Sequence, residues 1–262
     1  MSNVLEETKT LVTSYEALVT DDLRRIKPHG GAHCAICAAG DPIEAVMKLQ
    51  EIEVTSEQGT EEWLEARRKC ITASDMATVL CQNPYSSRPE LLRTKVFNIP
   101  FRGSTEAVEH GHVYEPIAIR RYEEQTGHKV LSFGLLHKSG SIIGASPDGV
   151  TLCGRAVEVK CPLTRKVIRQ RVPKHYMAQV QCQLEVMGLE VCDFVQLDTK
   201  SDTFDVCPVS RDETWVPTYW PKIKHFWNLL QECYEDPKKV PQKKRKPPPE
   251  KASEHHWFLD DL

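Results

Sequence analysis

The stretch from Ala145 to Pro162 constrains this chain more than any other. Ala145-Ser146-Pro147-Asp148-Gly149-Val150 is followed by a short turn-rich gap and then by Ala156-Val157-Glu158-Val159-Lys160-Cys161-Pro162. Val157 to Lys160 alternates apolar and polar, the period of a strand with one face turned from the core. Glu158 and Lys160 then point one way, while Val157 and Val159 point back into packing. Ile142-Ile143-Gly144-Ala145 is a second apolar run, and Pro147-Asp148-Gly149 is a turn signal between the two. A bent hairpin of these runs brings the Asp148 carboxylate beside Glu158, with the Lys160 ammonium just beyond.

Two carboxylates and a lysine converging at a strand end suit a hard divalent cation. Mg²⁺ takes oxygen ligands and keeps several waters, so one or two carboxylates suffice. Such an ion stabilises negative charge on a phosphoryl oxygen and helps deprotonate a bound water. Lys160 is placed to orient that water or to neutralise developing charge. The plainer alternative is a surface hairpin whose Asp caps a turn and whose Glu and Lys are solvated. Only the rest of the chain separates the two.

At 262 residues the chain has room for one large domain, or one domain with extensions, around a substantial core. No apolar run approaches the roughly 18 residues that span a bilayer. The start, Met-Ser-Asn-Val-Leu-Glu-Glu-Thr-Lys, lacks the basic-then-apolar plan of a secretory signal. Ten scattered cysteines without such a signal read as reduced thiols in an intracellular compartment. The net charge of −3 does not announce a nucleic-acid binder, but local charge differs from the total. Arg155, Lys160, Arg165, Lys166, Arg169, Arg171 and Lys174 stand against the single acid Glu158. That strip is either a phosphate-backbone track beside the metal site or a solvated loop face.

Residues 1–24 have Leu11, Val12, Tyr15, Leu18, Val19 and Leu23 at helical spacing. His29, His33, Cys34 and Cys37 offer a zinc set, but no second paired motif follows, and ordinary thiols are the expectation. Asp41-Pro42 opens a helix to about Gln50. Thr60 caps another, ending near Arg67-Arg68-Lys69. Ser74 sits at the N-cap position of the next short helix, whose free N–H groups, with the Ser74 hydroxyl and Arg67, make an anion pocket. A long helical pattern over 104–126 contains Pro116, which is expected to kink or restart it and leave Glu115 at the break. Pro173 opens a helix ending near Gly188, with His175 and Gln179 on a face away from its apolar stripe. Val191 to Leu197 and Phe204 to Val209 read as strands, and Trp220 to Tyr234 as a closing helix. The tail from Pro237 is expected to be disordered. Its Lys243-Lys244-Arg245-Lys246 run has the form of a nuclear localisation signal.

Taken together, Trp63…Arg67…Ile71-Thr72-Ala73-Ser74, Gly111-His112-Val113-Tyr114-Glu115, Ser146-Pro147-Asp148-Gly149, Glu158-Val159-Lys160-Cys161-Pro162 and Tyr176-Met177-Ala178-Gln179-Val180-Gln181 resemble the YqaJ-like viral recombinase family. Phage lambda exonuclease belongs to that family, within the PD-(D/E)xK nuclease superfamily. The resemblance spans roughly residues 57–232. It implies a restriction-endonuclease-like α/β core, a mixed central sheet flanked by helices. By the same resemblance Asp148 and Glu158 are metal ligands, with the Val159 carbonyl, for Mg²⁺ or a substituting Mn²⁺. Lys160 matches the water-activating lysine, Gln179 the active-site glutamine and Glu115 an accessory acid. Arg67, Ser74 and Ser146 match a pocket for a terminal 5′-phosphate.

Beyond Cys161-Pro162, Lys166 stands where the family has an arginine, with Arg165 next to it. Lysine lacks the bidentate fork, so that backbone contact would be arranged differently. The implied organisation is an N-terminal extension over 1–55, a nuclease domain over 56–236 and a basic tail over 237–262. The implied activity is Mg²⁺-dependent 5′→3′ resection of linear duplex DNA from 5′-phosphorylated ends, by a homotrimer working with a single-strand annealing protein. An endonuclease of the same superfamily, or a non-catalytic module that holds DNA ends, are the rival expectations.

Overall fold

The computed structural model describes residues 42–55, 57–99 and 105–242. The expected helix within 1–24, the His29/His33/Cys34/Cys37 group and the Lys243–Lys246 run lie outside the described residues. In chain order come α1 (Pro42–Gln50), β1 (Glu53–Thr55), α2 (Glu61–Arg68) and β2 (Ile71–Thr72). A 3₁₀ turn (Ala73–Asp75) leads into α3 (Met76–Val79), followed by α4 (Arg88–Phe97) and α5 (Thr105–Thr126). Then β3 (Val130–Leu131), β4 (Leu135–Leu136), β5 (Ile143–Gly144), β6 (Gly149–Thr151) and β7 (Ala156–Lys160) precede α6 (Lys174–Met187). The described residues close with β8 (Val191–Asp198), β9 (Thr203–Ser210), α7 (Trp215–Glu235) and a 3₁₀ turn (Pro237–Lys239). The tail expected to be disordered from Pro237 is instead ordered there, because Val240 packs into the main core.

The central sheet has the order β3-β6-β7-β8-β9. Its pairs are antiparallel except β7–β8, which run parallel in the register Glu158↔Phe194 and Lys160↔Gln196. Parallel neighbours need a crossover, and α6 supplies it. That helix covers one face of β7: Ala156 and Phe194 share a core with Val180 and Leu184. The other face belongs to α5, where Ala118, Ile119 and Tyr122 pack on Val157, Val159, Val195 and Leu197. The fold is therefore mixed α/β, a central sheet with helices on both sides.

Several local expectations change. The alternation in β7 predicts one outward face, yet Glu158 is completely buried because α6 lies over it. The hairpin pairs β6 with β7. Ile142 to Ala145 goes elsewhere: β5 runs parallel to β2, and Ala145 exchanges backbone bonds with Leu136. Asp148 is thus the residue just before β6 rather than the tip of a hairpin turn. Helix α5 is continuous through Pro116, so Glu115 sits inside a helix. Losing one backbone bond there is tolerated because the next turns are anchored by Ala118, Ile119 and Tyr122.

The 55/56 boundary falls inside a packed unit. Val46 and Leu49 of α1 are in the main core, and β1 pairs antiparallel with β4. That approach is tight, since a Cβ on Gly134 would lie 1.7 Å from the Thr55 carbonyl oxygen. Among the described residues no helix is long and apolar enough to cross a membrane.

Candidate active site

Each side chain at the site is held by an element the core fixes. The Asp148 Oδ2 accepts a hydrogen bond from the Val159 backbone N–H at 2.6 Å, which ties the entry to β6 against β7. Glu158 accepts from three donors. Lys160 Nζ and Gln179 Nε2 (2.6 Å) meet its Oε1, and Gln183 Nε2 (2.6 Å) meets its Oε2. Gln179 and Gln183 lie one turn apart on α6, so the crossover that buries β7 also brings both amides onto its acid. Gln179 was legible in the sequence; Gln183 was passed over, although its i+4 spacing from Gln179 was the available signal. Lys160 lies 5.4 Å from the centre of the Tyr176 ring.

Charge at the site is unbalanced. Burial pushes the Asp148 carboxyl well above its ordinary value of 3.8, and the charges of Glu158 and Glu115 push further than Lys160 and the Val159 N–H pull back. Burial also raises Glu115, with Lys160 opposing and Glu158 adding to the shift. Burial alone would lower the Lys160 ammonium; Glu158 and Asp148 outweigh it and hold the group protonated beyond its ordinary value. Three acids thus face one ammonium. A divalent cation would relieve that repulsion, and the donors are hard oxygens of the kind Mg²⁺ takes. Among the described residues no three His, Cys, Asp or Glu side chains gather into a full ligand cage. The groups present fit a two-carboxylate site, Asp148 and Glu158 with the Val159 carbonyl, in which water completes the shell.

The anion pocket assembles beside it from α2. Thr60 caps that helix as expected, its Oγ1 accepting from the Trp63 N–H at 3.2 Å. Trp63 Nε1 donates to Ser146 Oγ at 2.9 Å, and the Arg67 guanidinium stacks 4.2 Å from the centre of the Trp63 ring. The same guanidinium donates to Ser74 Oγ at 2.8 Å. Arg67, Ser74 and Ser146, far apart in sequence, therefore meet around one indole. Arg67 also lies within the field of Glu158.

The expected cap is corrected. Thr72 and Asp75 close the turn, with the Thr72 N–H donating to Asp75 Oδ2 at 2.9 Å, and Ser74 is free to face Arg67. Helix α3 has only four residues, too short for its N-terminus to hold an anion, so the pocket rests on side chains.

Lys95 was not singled out from the sequence. It is buried, and its Nζ pairs with Asp75 (2.8 Å) while donating to the carbonyls of Arg67 (3.0 Å) and Cys70 (2.9 Å). It lies one turn after Leu91 and Leu92 on the buried stripe of α4, and that position was the readable sign. Arg155 leaves the proposed basic strip altogether. It forms an ion pair with buried Asp193, which also accepts from the Tyr122 hydroxyl at 2.6 Å. Arg165 remains near the site, donating to Gln196 at 2.9 Å, while Lys166 is exposed on the same loop.

Residues 62–190 match the YqaJ-like viral recombinase domain. The uncharacterised protein R354 of Acanthamoeba polyphaga mimivirus is 33% identical over 182 residues, 62% of this chain and 32% of its own length. The uncharacterised YqaJ of Bacillus subtilis strain 168 is 28% identical over 190 residues, 69% of this chain and 59% of its own. The chain therefore spans about a third and about three fifths of these two relatives. LHK-Exo, an alkaline exonuclease from Laribacter hongkongensis, has a TM-score of 0.58 at 27% identity, covering 68% of this chain and 96% of its own. LHK-Exo in complex with dAMP gives the same TM-score at 28% identity.

Proposed function

We propose, from the premise that residues 62–190 form a YqaJ-like viral recombinase domain, that this protein is a metal-dependent deoxyribonuclease. Its substrate would be linear duplex DNA, degraded 5′→3′ from a 5′-phosphorylated end to leave a 3′ single strand. One observation carries the reading. Ser146 of the anion pocket and Asp148 of the carboxylate cluster are two residues apart on one segment, each tied to a different wall. Two residues of extended chain reach roughly 7 Å. A phosphate gripped at one end would place the next phosphodiester of the same strand at the other, which suits release of one nucleotide at a time. LHK-Exo, an alkaline exonuclease seen with dAMP, supports the same class.

The chain's own groups divide the work. Asp148, Glu158 and the Val159 carbonyl would hold Mg²⁺ or Mn²⁺, which supplies Lewis-acid stabilisation and a more acidic bound water. The protonated Lys160, fixed against Glu158, would orient the attacking water and meet developing negative charge. Gln179 holds Glu158 in place, and Glu115, from α5, adds an acid whose charge reaches the same site. The Arg67 fork would bind a terminal phosphate with the Ser74 and Ser146 hydroxyls, and Trp63 would hold the guanidinium flat. Arg165 and Lys166 would contact the backbone beyond. The same reading includes a homotrimer, a single-strand annealing partner, a nuclease unit centred on 56–236 and nuclear entry through Lys243–Lys246.

The test compares 5′-phosphate and 5′-hydroxyl linear duplexes in Mg²⁺, for the wild type and Arg67→Ala. Wild type should favour the phosphorylated end, and Arg67→Ala should lose that preference. Asp148→Asn and Lys160→Ala should each lose ~100-fold or more in rate, as when a preorganised stabilising group is removed. Equal wild-type rates on both ends would remove the 5′-anchor. Cutting of a closed circle would indicate an endonuclease, and end binding without hydrolysis in Mg²⁺ or Mn²⁺ would indicate a recruitment module.

A further inference from the structure

We infer that Gln183 is a positioning residue that sets the plane of the Glu158 carboxylate for metal binding. This rests on the metal-site reading above. Glu158 is completely buried, and its terminal torsion is intrinsically broad, so its carboxylate plane is not fixed by the rotamer alone. Lys160 and Gln179 both approach Oε1. Two donors on one oxygen still leave the group free to rock about that contact. Gln183 supplies the third point, its Nε2 2.6 Å from Oε2.

The cost of this arrangement marks it as functional. Glu158 Oε2 accepts this bond, so Gln183 turns its amide N–H₂ toward the acid. Its carbonyl Oε1 then faces the other way, fully buried, where it meets no donor among the described residues. A buried acceptor without a partner is destabilising, and an apolar side chain of similar size would avoid it. Gln181, two residues earlier on the same helix, shows the contrast. Its Nε2 donates to the Ser210 carbonyl at 2.9 Å and its Oε1 accepts from the Asp212 N–H at 2.8 Å. Both ends of Gln181 are used to join α6 to the end of β9 and the turn that follows it, as expected of a structural amide. Gln183 gives up its own satisfaction for one bond to one acid.

The test is Mn²⁺ titration into the full, metal-free chain by calorimetry, with thermal melts in EDTA, for wild type, Gln183→Met, Gln183→Leu and Gln181→Met. Loss of an outer partner of a ligand typically costs 10–100-fold in metal affinity, and Gln183→Met should weaken Mn²⁺ binding by about that factor. Its melting temperature in EDTA should stay close to wild type, since one unmet oxygen leaves as another is exposed. Gln181→Met should do the reverse, lowering the melting temperature while leaving Mn²⁺ affinity unchanged. Unchanged Mn²⁺ affinity in Gln183→Met, beside a wild type that binds the ion, would overturn the inference and leave the metal site standing. So would unfolding of both Gln183 variants, which would make the residue structural. A wild type that takes up no Mn²⁺ would remove the metal site, and this inference with it.

Discussion

At the scale of single residues, the behaviour of the site follows from three acids sharing one ammonium. Asp148 is pushed up by burial first, then by Glu158 and Glu115. From its ordinary value of 3.8 up to that raised folded value, the folded chain binds more protons than the unfolded one. The stability of the metal-free protein must therefore fall as pH rises through this window. A bound divalent cation cancels the repulsion and with it the slope. Melts in EDTA taken upward from the ordinary carboxylate range should show a declining midpoint, and Mg²⁺ or Mn²⁺ should flatten the decline. A flat profile in EDTA would mean that the acids do not repel as their packing implies. That Glu158 and Lys160 share a face was legible, because alternation fixes it within one strand. The Asp148 bond to the Val159 N–H was not, because it depends on register between two strands.

At the scale of elements, the anion pocket is only as firm as the turn behind it. Burial alone would raise Asp75; the charges of Lys95 and Arg67, with hydrogen bonds from Lys95 and Thr72, hold it below its ordinary 3.8 instead. A depressed carboxylate contributes stability above its unfolded value, lost as pH falls through the folded one. This window lies below that of Asp148, so the two effects separate. Lys95, from α4, also donates to the Arg67 carbonyl in the last turn of α2 and to the Cys70 carbonyl just beyond it, fixing the backbone of Arg67. Lys95→Met would take the ion-pair partner from Asp75 and leave it only the Thr72 bonds and the Arg67 charge, at about 3 kcal/mol of stability, or roughly 10 °C in midpoint. Urea unfolding measures it directly, and Lys95→Met with Asp75→Asn should recover much of the loss. A change below ~1 kcal/mol in the single variant would show that the pair is not a keystone of the turn. Sequence reading placed Ser74 at a helix cap because the residue type fits. Thr72 took that role, since its N–H and hydroxyl both reach Asp75.

At the scale of the whole molecule, the site exists because β7 is enclosed between α5 and α6, and because α1 and β1 complete the same body. Val46 and Leu49 fill the main core, and β1 closes on β4 over Gly134. A chain that begins at Pro42 keeps α1 and β1, and one that begins at residue 56 loses both. The second should melt more than about 10 °C below the first, because it lacks two core side chains and a strand pairing. Circular dichroism melts of the two truncated chains decide this; equal midpoints would put the domain edge back at 55/56.

The sequence alone determined the carboxylate pair, the lysine beside it, the helix that carries Gln179 and the long strands β8 and β9. These follow from side-chain period, caps and turn residues, which act over a few positions of chain. Only the tertiary structure decided that Glu158 is buried on its supposedly open face, that Arg155 belongs to Asp193, that Gln183 donates to Glu158 and that Lys95 pairs with Asp75. A parallel crossover chooses which face of a strand is covered, and a buried charge finds its partner across dozens of residues. Local periodicity carries no record of either choice.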